Sequence, residues 1–130
     1  MTPAERQLLF DLRKSLLHLH KTLLDWERTA YERVHGRASA SVLLKVIVED
    51  PQFAWLRPMS ELIVRIDETV DAGNEDTPAD VEGIIARARA VIAADEAGPP
   101  NAQRYYAALQ EHPDAVLAHG AVTKVLKEAR

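Results

Sequence analysis

No proline or glycine falls between Ala4 and His35, and through that stretch apolar residues recur at Leu9, Leu12, Leu16, Leu19, Leu23, Trp26, Ala30 and Val34, in steps of three and four. Such spacing draws one continuous apolar seam along an α-helix. Leu8, Leu17, Leu24 and Tyr31 widen the seam, as in a helix packed by more than one neighbour. Thr2-Pro3-Ala4-Glu5 reads as a capping box with proline at the first helical position, and Gly36 as the stop. A helix of about 32 residues would be roughly 48 Å long. No other segment of the 130-residue chain matches it, so it becomes the spine around which the rest must pack.

The remaining punctuation predicts shorter helices. Ser39 and Ser41 can cap a segment from Val42 to Glu49. Its β-branched run, Val42 to Val48, suits a strand as well as a helix; helix is preferred because no partner strand exists elsewhere. Asp50 can cap a short turn from Pro51 to Leu56. Pro58 should then break or kink the chain and hold Arg57 away from helical dihedrals. A helix from Pro58 places Met59, Leu62, Ile63, Ile66 and Val70 on one face and ends at Gly73, before a loop at Asn74-Glu75-Asp76. Thr77-Pro78-Ala79-Asp80 repeats the cap-and-proline device ahead of a helix carrying Val81, Ile84, Ile85, Ala88, Val91 and Ile92. Asn101 is placed as the cap of a helix with Tyr105, Tyr106 and Leu109. Pro113 separates it from a last helix with Val116, Leu117, Val122, Val125 and Leu126. The expected fold is all-α: residues 1–130 as a single bundle of four principal helices plus short connecting helices.

Composition narrows the function classes. Hydrophobic residues make up 47% and charged residues 28%, too apolar for disorder, and no apolar run reaches the roughly 20 residues of a membrane span. Neither a signal peptide nor a membrane association is expected. The absence of cysteine removes thiolate metal sites, iron–sulfur clusters, disulfides and cysteine nucleophiles, and a cytoplasmic location is the simplest. The net charge of −4 concentrates its acidity between Asp67 and Glu82. Lys14, Lys21 and Arg28 recur every seven residues but sit among acids such as Asp11 and Asp25, the pattern of a solvated helix face, so no nucleic-acid partner is expected.

Candidate sites are sparse. Bundles build di-iron centres from paired Glu-x-x-His units, and this chain has one such unit, Glu32-Arg33-Val34-His35. His18 and His20 are two apart and point to different sides of a helix. His18, His20, Glu32 and His35 are therefore ligand candidates only, with neither a metal nor a cofactor expected. Ser39, Ser41 and Ser60 are explained by helix starts, and the isolated glycines form no phosphate loop, so no catalytic residue is assigned. Phe53 and Trp55 would diverge by about 200° on a helical turn. One should enter the core and the other a rim, interface or pocket, with Arg57 beside them as a typical anchor. Leu9 and Leu12 join them as interface candidates, because short helices need not cover the whole N-terminal stripe.

Taken together, Leu19-His20-Lys21, Tyr31-Glu32-Arg33, the run Asp50-Pro51-x-Phe53-Ala54-Trp55-Leu56-Arg57-Pro58-x-Ser60-Glu61-Leu62, Ile66-Asp67-Glu68 and Arg104-Tyr105-Tyr106 resemble a family of small uncharacterised bacterial all-helical proteins. The resemblance implies a bacterial source and draws attention to Trp55, Arg57 and Asp67. It brings no activity with it. The reading from the sequence is a non-enzymatic helical bundle that forms a homodimer or binds a protein partner, with a small-ligand or metal-binding bundle as the alternative.

Overall fold

A computed structural model describes residues 1–72 and 79–129. Gly73, the 74–76 loop and the Thr77-Pro78 cap lie outside the described residues. Six α-helices and one 3-10 turn follow in order: α1 Pro3–His35, α2 Ala40–Glu49, the 3-10 turn Pro51–Leu56, α3 Arg57–Ala72, α4 Val81–Val91, α5 Pro100–Glu111 and α6 Pro113–Glu128. No strand occurs among them, and the Val42–Val48 run is helical.

The caps follow the local rules. Thr2 and Glu5 exchange both hydrogen bonds of a capping box, at 2.9 and 3.1 Å. Gly36 ends α1 with φ +82°, a conformation that disfavours a side chain, while its N–H donates to Glu32 O. Ser39 caps α2 and Asp50 caps the 3-10 turn. Asp80 caps α4 through Gly83 N; a Cβ on Gly83 would lie 2.0 Å from Asp80 Oδ2, so the cap depends on that glycine.

Two local expectations change. Arg57 is helical (φ −60°, ψ −44°), so α3 runs straight on from the turn without the predicted break. Pro58 falls in the first turn of α3, where its missing N–H orphans no partner, and Arg57 N donates to Ala54 O. Asn101 is not a cap: α5 begins at Pro100, with Pro99 before it supplying no side-chain acceptor.

Packing covers the spine. Leu9, Leu12, Leu16, Leu19 and Leu23 are wholly buried, α1 being packed chiefly by α3 and α6. Arg6 Nη1 donates to Val70 O (3.0 Å) and Arg13 pairs with Asp67 (2.7 Å), so α3 runs back antiparallel along the first half of α1. Met59, Leu62, Ile63, Ile66 and Val70 of α3, Ile84, Ile85 and Ala88 of α4, and Ala115, Ala118, Val122 and Leu126 of α6 complete one core. The proposed uncovered stripe is therefore corrected: Leu9 and Leu12 are core residues of the single chain and are closed to a partner.

Candidate functional site

One charged side chain stands among these leucines. Glu27 follows Leu23 by one helical turn on the buried face of α1 and has no exposed surface. A lone carboxylate there would be strongly disfavoured. Its environment supplies four donors instead. Arg104, on α5, grips it with both arms: Nε donates to Oε2 at 3.0 Å and Nη2 to Oε1 at 2.7 Å. From the 3-10 turn, Gln52 Nε2 donates to Oε1 at 2.8 Å and Trp55 Nε1 to Oε2 at 2.7 Å. Each oxygen thus accepts two hydrogen bonds, in the bidentate geometry that makes arginine–carboxylate pairs strong.

Burial pushes the Glu27 carboxyl up; the hydrogen bonds from Arg104, Gln52 and Trp55, with the Arg104 charge, outweigh it and hold the group below its ordinary value. Glu27 is accordingly ionised at neutral pH and its lone pairs are committed. Its chemistry is that of a fastener joining α1, the 3-10 turn and α5, with neither a free lone pair to take a proton from a substrate nor one to bind a metal.

Aromatic rings surround this hub. Trp26 meets Trp55 edge-on, at 6.4 Å between centroids and 89° between planes, and the Arg104 guanidinium lies 4.4 Å from the Trp26 centroid. Trp55 approaches Tyr105 at 6.4 Å, and Phe53 approaches Tyr31 at 6.1 Å. The Tyr105 hydroxyl lies 2.6 Å from His119 Nδ1 of α6. Burial lowers the His119 pKa and raises that of Tyr105, so both are neutral and the phenol donates to the imidazole. Beyond the hub, Trp55, Met59, Val91, Asn101, Tyr105 and Arg87 line a cavity of about 260 Å³.

The sequence candidates separate on this frame. Phe53 is buried, while Trp55 is half-buried and borders both the hub and the cavity. Arg57 is exposed and donates to Val48 O, fastening α2 to the turn. Asp67 is the partner of Arg13. His18 is exposed, and His20 is half-buried, its pKa lowered by burial. His35 is exposed and stacked on Tyr31 at 4.3 Å, and Glu32 pairs with Arg28 at 3.6 Å. These four ligand candidates do not converge; among the described residues no three His, Asp or Glu side chains come together as a metal site would require.

Sequence reasoning missed Glu27, Gln52, Arg104 and His119 as interacting groups. The available signal was an acid one turn beyond Leu23 on the apolar stripe, although its arginine lies 77 residues away. No protein-family model matches the chain, nor does any curated protein or solved structure.

Proposed function

We propose that this chain is a non-enzymatic interaction module of the bacterial cytoplasm, akin to the small all-helical proteins its central motif resembles, and that it self-associates as a homodimer through α2. One observation carries the reading. Six of the ten residues of α2 are large aliphatics (Val42, Leu43, Leu44, Val46, Ile47 and Val48), yet none is buried. A helix that is apolar round most of its circumference belongs inside a protein, not on its surface. Here Leu43, Val46 and Ile47 are half-buried, while Val42, Leu44 and Val48 lie open, the last two at 65% and 59% exposure. Val34, at the end of α1, is more exposed still.

A second copy suits this surface. Lys45 and Glu49 are the charged residues of α2, of opposite sign and one turn apart. An antiparallel pairing of two α2 helices sets the lysine of each copy towards the glutamate of the other while the aliphatic face is covered. Such a two-fold arrangement is self-complementary and is the commonest form of oligomer.

Sedimentation equilibrium at micromolar concentration tests this. The wild type should report about twice the 14.5 kDa chain mass. The double change Leu44→Glu and Val48→Glu should give a folded monomer whose circular-dichroism spectrum keeps the helical signal of the bundle and loses at most the contribution of α2, because neither side chain belongs to the core. A wild type of single-chain mass across the whole range, or a double variant that still dimerises, overturns the proposal.

A further inference from the structure

The cavity beside the hub has a chemistry separate from α2. Two of its walls are the rings of Trp55 and Tyr105, tilted 35° to one another. Both rings have their polar atoms engaged elsewhere: Trp55 Nε1 is bound to Glu27, and the Tyr105 hydroxyl to His119. What they offer the cavity is ring surface. Met59 and Val91 continue the apolar lining. The hydrogen bonds of Trp55 Nε1 and the Tyr105 hydroxyl fix the orientation of both rings before anything binds.

The polar contribution comes from another direction. Arg87, on α4, lines the same cavity, is exposed, and makes neither a hydrogen bond nor an ion pair within the described residues. By contrast, Arg13 has Asp67, Arg89 has Leu126 O, and Arg104 has Glu27. An apolar concavity with one unpaired guanidinium is the form of a site for a small flat acid. A volume of about 260 Å³ lies just below the usual range of ligand pockets and suits a ligand with a single ring.

We propose that this cavity binds a small aromatic carboxylate, its ring against Trp55, Tyr105 and Met59 and its carboxylate on Arg87. Benzoate is the probe and benzamide its neutral isostere. The readout is the Trp55 indole N–H resonance in a two-dimensional nitrogen–proton spectrum, assigned by Trp55→Phe. A ligand of this size should saturate the shift with a Kd on the order of 1 mM. Benzamide should bind about tenfold more weakly, as the loss of one charge-assisted bidentate contact implies. Arg87→Gln should remove that tenfold preference while the spectrum otherwise stays that of the folded protein, because Arg87 supports no other group. No shift of the Trp55 resonance at roughly ten times the expected Kd overturns the proposal. So does equal binding of acid and amide by the wild type, or a preference that survives Arg87→Gln.

Discussion

At the scale of the residue, Glu27 decides how the corner of the molecule is held. Removing one partner of a buried, hydrogen-bonded charge pair costs more than making the pair gains, because the other partner is left unpaired. Glu27→Ala frees the donors of Arg104, Gln52 and Trp55, which are partly exposed and can turn to water, and should destabilise the fold by about 2–3 kcal/mol in urea unfolding. Trp55→Phe keeps most of the ring and removes one donor; its expected cost is about 1–3 kcal/mol. If both substitutions changed stability by less than about 0.5 kcal/mol, the range of ordinary surface changes, the hub would not be a fastener. The titratable groups add a pH signature. His20 and His119 have lowered pKa values in the fold through burial, so the unfolded chain binds protons more readily there. Their contribution is complete above the ordinary histidine value of 6.5 and is lost as pH falls through the lowered values. Glu27, also lowered, adds a second loss as pH falls from 4.5 through its folded value. Melting temperature should therefore decline in two stages on acidification, and His119→Gln should flatten the first. A melting temperature that rises from pH 7 to pH 5 would contradict these assignments.

At the scale of the element, legibility followed locality. The Thr2–Glu5 box, the Gly36 stop and the Asp50 cap were readable because each depends on residues within a few positions. The α1 seam was readable through its period, and Phe53 and Trp55 diverged as a helical turn requires. Arg57 was misread because the pre-proline bias is a local preference, here overridden by a 3-10 turn running directly into α3. The hub was not legible. Nothing within a turn of Glu27 indicates Gln52, Trp55 or Arg104, and their convergence exists only once α5 has packed beside the corner. Whether the α1 stripe faced a core or a partner was equally non-local, since it turns on the path of α3 and α6. The two cases separate by mutation. Leu12→Glu places a charge in the core and should abolish the cooperative unfolding transition, whereas Leu44→Glu on α2 should leave it in place.

At the scale of the whole molecule, one core draws buried side chains from α1, the 3-10 turn, α3, α4, α5 and α6, while α2 contributes none and only rests Val46 and Ile47 against it, held by the 3-10 turn and the Arg57 contact to Val48 O. A short helix with no buried side chain has little packing of its own to sustain it. Its persistence as a helix is then tied to a covering surface, which the proposed dimer supplies. Amide hydrogen exchange reads this directly, because protection reports the free energy of local opening. Measured on the wild type at two concentrations, one far below and one far above the dimer dissociation constant, amides of residues 43–49 should gain protection at the higher concentration, while the α1 amides of Leu12 to Leu23 stay equally protected in both. Protection of 43–49 that does not change with concentration, or a gain confined to another helix, would contradict self-association through α2.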